Sequence, residues 1–209
     1  GMEFFFTDDP RIRRLQRDYV AKVLDTLNDC DNVFFEIANE LEAQAWQYDM
    51  VRFVHEYEAK LPQQHLVYLS PGGRNRVAAW ARLPLEAVRD SPADVYAVTR
   101  WTPAYRGDPP VQLGIKPVFM DMDHIAATDN NGDNDWNNRP ETVWKLFTRG
   151  YHICIYDHDY WKPAENRASW DRTRRALGQA VALSRTLPLA RMHPHPELAS
   201  TRFCLAAPG

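Results

Sequence analysis

Several absences narrow the field before any motif is read. The chain has no basic block: 25 Lys and Arg stand against 28 Asp and Glu over 209 residues, a net charge of -3. It therefore has no electrostatic footprint for nucleic acid or for an anionic membrane surface. Its three cysteines, Cys30, Cys154 and Cys204, are widely spaced and form no CxxC pair. That pattern fits neither a disulfide framework nor a zinc cluster, and it predicts buried small hydrophobes. No apolar run approaches the roughly 20 residues of a membrane span, and "GMEFFFTDDP" lacks the basic start and long apolar core of a signal peptide. A cytoplasmic location is the default expectation. Neither GxGxxG nor GK[ST] follows any strand-like run, so nothing supports a nucleotide site.

What the sequence does have is apolar and aromatic residues, 44% and 12% of the chain, enough for a globular core and too many for disorder. A neutral or small polar partner suits the balanced charge. Asp9 then Pro10 reads as a helix N-cap and first helical residue, and Ile12, Leu15, Tyr19, Val23 and Leu27 recur at helical spacing up to about Asn28. Trp46, Met50, Phe53, Val54, Tyr57 and Leu61 mark a second amphipathic helix stopped by Pro62. Pro84 interrupts a third, "NRVAAWARLPLEAVRD"; "PETVWKLFTRG" runs from Pro140 to Gly150, and a last helix spans Trp170 to Leu187. Strand-like runs fall at 32–40, 65–70, 93–99, 116–122 and 151–157. Strands alternating with helices predict the α/β class, read here as one domain over 1–209.

In a strand, alternate side chains share a face. In "DNVFFEIANE" this gives Val33, Phe35 and Ile37 to a helix-covered face and leaves Phe34, Glu36, Ala38 and Glu40 on the other. In "KPVFMDMDH", Val118, Met120 and Met122 form the apolar face, with Pro117, Phe119, Asp121 and Asp123 opposite. "YHICIYDHDYW" ends in Asp157, His158, Asp159, Tyr160 and Trp161. Three strands thus end in ionisable groups, where a (β/α) barrel keeps its active site. Buried unpaired carboxylates are costly, so such a cluster needs partners or a function.

The run "FEIANE" resembles the fourth-strand signature of the clan A glycoside hydrolases, (β/α)8 barrels that include cellulases and xylanases. "WQYDMVRFVHEYEAKLPQQH", "MDMDHI", "VWKLFTRGYHICIYD" and "ASTRFCLAAPG" extend the resemblance, in order, to uncharacterised cellulase-like bacterial hydrolases. The resemblance implies part of a TIM (β/α)8 barrel, strands equivalent to 4–8 with their helices. It implies Glu40 as general acid/base and Asn39 as a hydrogen-bond partner of the sugar 2-hydroxyl. "KPVFMDMDH" resembles the seventh strand, whose end carries the nucleophile; Asp121 takes that place, with Asp123 second. Asp123 and His124 would bond the sugar, and Trp101, Tyr160 and Trp161 would stack on it. This reading needs a carbohydrate substrate, no cofactor and no metal.

The pattern departs from the family in two ways. The family nucleophile is Glu, and Asp is shorter by one methylene, which leaves the stereochemical outcome open. Strands equivalent to 1–3 are missing, so the exposed edges predict a homo-oligomer or a second chain that completes the barrel.

Other readings stand beside this one. The chain can be a noncatalytic sugar-binding or partner-completing remnant, or a metal-dependent hydrolase using Asp121, Asp123, His124 and a histidine of the last strand. Glu40 also suits a helix N-terminus, Asp121 and Asp123 suit loop capping, and His124, His152 and His158 suit structural roles. Trp136, Trp144 and Trp170 read as packing residues. In "DNNGDNDW", Asp129, Asn131, Asp133 and Asp135 alternate like calcium-loop ligands, but Gly132 is misplaced and Pro140 takes the twelfth position, so a solvated loop is expected.

Overall fold

In the computed structural model the described residues are 4–39, 41, 43–70, 86, 89–99, 116–121, 139–154, 163, 165 and 170–207, with 98, 99 and 121 described as backbone only. The elements are α1 (Pro10–Leu27), β1 (Phe35–Glu36), α2 (Gln44–Glu58), β2 (Val67–Leu69), β3 (Val95–Thr99), β4 (Val118–Asp121), α3 (Pro140–Phe147), β5 (His152–Cys154), α4 (Asp171–Ser184), β6 (His193–Pro194) and β7 (Leu205–Ala206). The class is α/β with parallel strands, as the alternation predicts. The chain divides into two compact units, Gly1–Ala97 and Val98–Gly209.

In the first unit the order is β1-β2-β3, with both pairings parallel. Parallel neighbours need a crossover, and α2 supplies the one between β1 and β2. The register sets Phe35 beside Val67 and Leu69 beside Tyr96 on one face, and Glu36 beside Tyr68 and Tyr68 beside Val95 on the other. Val67, Leu69, Val95, Tyr96 and Ala97 are all buried. The β1 ladder is shorter than the extended run 32–40. Phe35 and Ile37 donate to the Leu66 and Tyr68 carbonyls at 3.0 and 3.4 Å, and no strand is assigned beyond Glu36.

α1 starts as its sequence dictates. The Asp9 side chain accepts from the Arg11 amide, and Pro10 follows where no amide hydrogen is needed. Its buried face differs from the expected stripe. Leu15 and Tyr19 are 66% and 72% exposed, whereas Gln16 and Leu24 are buried. The reason is a hydrogen-bonded glutamine: the Gln16 amide donates to the Phe4 carbonyl at 2.7 Å and accepts from the Trp46 indole at 3.0 Å, which turns this line of α1 inward against α2. α2 buries Gln47, Met50, Val51, Val54 and Glu58, the spacing of a core-facing stripe. Its last member is a carboxylate, and a carboxylate buried among apolar groups requires partners.

Those partners lie at the N-terminal ends of the strands. His65, just before β2, meets Glu58 at 2.6 Å. Asp94, just before β3, accepts from the Val67 amide at 2.8 Å and contacts His55 at 2.9 Å. These ties anchor α2 beneath β2 and β3.

In the second unit β4 and β5 pair in parallel. Val118 and Met120 of the expected apolar face are fully buried, and Met122 lies outside the described residues. Small residues on α4, Ala176 and Ala180, pack with Val143 of α3, and Trp144, Phe147, Ile153 and Leu177 close around them. Trp144 and Trp170 are packing residues, Trp170 being buried; Trp136 lies outside the described residues. The segment "HPHP" contributes β6, which pairs antiparallel with β7. An apolar cavity of about 470 Å³ lies among α4, the 147–153 turn and the 189–205 segment.

The cysteines correct one expectation. None of the three forms a disulfide; Cys154 is exposed, and Cys30 and Cys204 are half-buried. None packs as a buried hydrophobe, because Cys154 lies on a strand whose alternate side chains remain open.

Candidate functional site

The candidate site begins on the polar face of β1. Phe34 and Glu36 project together from that face and both are exposed, while Val33, Phe35 and Ile37 on the other are half-buried. Tyr68, level with Glu36 on β2, meets the Phe34 ring edge to face at 6.1 Å. At the C-terminal end of β2, Ser70 is 2% exposed and its hydroxyl donates to Glu36 Oε1 at 2.9 Å. This bond ties the ends of two adjacent parallel strands. A hydroxyl donating to a carboxylate is charge-assisted, so it holds the carboxylate more firmly than a neutral pair would.

Asn39 follows three residues after Glu36 and is exposed, so its amide is open to a ligand. The chain beyond it is held from below. Leu41 and Ala43 are buried, and Gln47 of α2 donates to the Leu41 carbonyl at 2.6 Å. Hydrogen bonds thus hold Glu36, to Ser70, and Leu41, to Gln47.

In the second unit, Asp121 is the last residue of β4 and pairs in register with Cys154 on β5. Glu40, Asp123, His124, Trp101, Tyr160 and Trp161 lie outside the described residues, as do His158 and the acidic loop at 129–135. Asn39 stands in the first unit and Asp121 in the second. Among the described residues, the side chains brought together are Glu36, Ser70, Tyr68 and Phe34, of which only Asn39's neighbour Glu36 carries charge.

The groups whose protonation is shifted lie elsewhere. His65 is raised by its hydrogen bond to Glu58, against the opposing effect of burial. The buried Tyr96 phenol is pushed up to about 12, first by burial. His152, exposed at the start of β5 and tilted against Phe119 at 5.5 Å, is lowered by desolvation. His65 sits just before β2, away from the strand end that carries Ser70. Among the described residues no group of three His, Cys, Asp or Glu is placed to hold a metal ion, and no helix is long and apolar enough to cross a membrane.

Two participants escaped the sequence reading. Ser70 closed the strand-like run 65–70 with nothing to distinguish it. Glu58 did carry a signal: it follows Met50 and Val54 at four-residue spacing in a core stripe, which demands a partner such as His65.

Compared with protein families, curated proteins and solved structures, the chain has no match in any of the three.

Proposed function

We propose that this chain is a glycoside hydrolase-like protein that cleaves O-glycosidic bonds with a carboxylate pair, Glu40 as general acid/base and Asp121 as nucleophile or base. Its strands then correspond to strands 4–8 of a (β/α)8 barrel. The observation that carries this reading is the end of β1. A parallel strand, tied to its neighbour through Glu36 and Ser70, leads directly into an exposed Asn39 followed by Glu40.

The chemistry needs one carboxyl protonated, to donate to the leaving oxygen, and one ionised, to attack or to activate water. Asn39 would orient the 2-hydroxyl. Asp123 and His124 would bond neighbouring hydroxyls, and Trp101, Tyr160 and Trp161 would offer ring faces to the C–H face of a pyranose. Carboxyls about 5 to 5.5 Å apart would give retention, and about 6.5 to 9.5 Å inversion.

The test is hydrolysis of a panel of aryl glycosides. Turnover is expected to survive EDTA and to fall at least about a hundredfold in Glu40→Gln, the scale of a lost general acid. Turnover unchanged in Glu40→Gln sinks the assignment. Turnover abolished by EDTA and restored by a divalent ion moves the chemistry to a metal-dependent hydrolase on Asp121, Asp123 and His124.

One further observation favours a second reading, a noncatalytic or partner-completing half-barrel. Leu15, Tyr19 and Leu66 are 66%, 72% and 54% exposed in the first unit, and among the described residues β1 pairs only with β2. Sugar binding without turnover on any glycoside supports it.

A further inference from the structure

We propose that Glu58 and His65 form a pH-sensitive latch that fastens the 28–32 turn, the segment leading from α1 into β1, to the end of α2. The pair is enclosed, with the His65 side chain 3% and the Glu58 side chain 1% exposed. Glu58 Oε1 lies 2.6 Å from His65 Nδ1, and Glu58 Oε2 accepts from the His65 backbone amide at 2.8 Å. On the other side of the ring, Nε2 lies 3.0 Å from the Cys30 carbonyl.

The two ring contacts dictate the protonation. A carbonyl oxygen only accepts, so Nε2 must carry a hydrogen. A carboxylate oxygen also accepts, so the short contact at Nδ1 needs a hydrogen as well. Together they require one proton more than a neutral imidazole and a carboxylate hold between them, and the resting pair shares it across the short Glu58–His65 contact. When that proton leaves, one ring hydrogen faces two acceptors, and one contact must be replaced by lone-pair repulsion. The Cys30 carbonyl is the weaker acceptor, so that contact opens first.

The surroundings favour the protonated form. α2 contributes Glu58. The turn contributes the Cys30 carbonyl, with Asp29 and Asp31 on either side of a thiol that burial and then these two acids push up. β1 presents only the Phe35 ring, edge-on at 5.3 Å. The Asn28 side-chain amide donates to the Gln63 carbonyl at 2.8 Å and accepts from the Gln63 backbone amide at 3.3 Å, a tie of the turn that does not titrate. His65 is accordingly raised above 6.5, by Glu58 first and despite burial. A raised value means that the latch is fully closed below 6.5 and opens as pH rises through the folded-state value.

Amide hydrogen exchange on the full chain between about pH 5.5 and 8.5 tests this, after correction for the intrinsic pH dependence of exchange. The Cys30 amide, bonded to Leu27, and the Phe35 amide, bonded to Leu66, are the probes. Their protection is expected to fall measurably across the titration, as the proton that closes the contact is lost. In Glu58→Gln, the new amide donates to the Nδ1 lone pair and its oxygen accepts the His65 amide, so every contact persists with no shared proton. Protection in that variant is expected to be flat with pH. Wild-type protection that is flat, or a Glu58→Gln variant that keeps the wild-type slope, overturns the latch. If that variant does not fold, the ring nitrogen shifts of wild-type His65 decide: a ring already neutral at about pH 6 overturns it as well.

Discussion

Leu24 on α1 is 1% exposed, while Leu15 and Tyr19 on the same helix keep most of their surface open. Only the first has apolar surface to lose on truncation. Leu24→Ala is expected to lower unfolding free energy by about 2 to 5 kcal/mol, the range for a buried leucine. Leu15→Ala and Tyr19→Ala should stay within about 0.5 kcal/mol. Urea unfolding of the three variants checks this, and equal losses would restore the stripe that helical spacing suggested. That spacing failed at α1 for a local reason. Two lines of residues fit a helical period, 15-19-23 and 16-20-24, and hydropathy prefers the first. The Gln16 amide, bonded to Phe4 and Trp46, selects the second. Hydropathy ranks a glutamine as polar because it cannot register that both ends of the amide are satisfied.

Helix ends were legible at the scale of the element because they are made from neighbours in sequence. Pro10 and Pro140 each open a helix at its first position, and Gly150 closes α3. The closure has a defined geometry. The Gly150 amide donates to the Phe147 carbonyl at 3.0 Å and the Tyr151 amide to the Leu146 carbonyl at 3.1 Å, with Gly150 at φ 77°. An L residue at that angle is strained, so Gly150→Ala should lower stability by about 1 to 2 kcal/mol, while Gly150→Asn should lose less. Thermal unfolding of both variants measures it, and an alanine variant as stable as wild type would contradict the cap. Strand extents were not legible in the same way. Alternation marks an extended chain, but a ladder needs a partner, and β1 is confined to Phe35–Glu36 although the extended run is longer.

At the scale of the whole molecule, the pairings β1-β2, β2-β3 and β4-β5 are parallel, and each of the two units has a core of its own. Apolar side chains left open around β1 in the first unit bear on association. Under the partner-completing reading, a second copy covers Leu66 and the Leu15 and Tyr19 face. Light scattering across micromolar concentrations should then show self-association that Leu66→Lys reduces. A wild-type chain that stays monomeric throughout argues against a second copy as the completing partner.

The sequence by itself determined the α/β class, the proline-marked starts of α1 and α3 and the polar face of β1, because each depends on local periodicity or on residues within a turn of one another. It also placed Asn39 three residues beyond Glu36. The tertiary structure decided which line of α1 is buried, that Ser70 holds Glu36, and that Glu58 and His65 clasp the turn before β1. These contacts span 30 to 34 residues between Gln16 and Trp46 and between Glu36 and Ser70. Hydrogen-bond partners at such separations are selected by packing, so a polar residue becomes a structural one only when the fold brings its partner within reach.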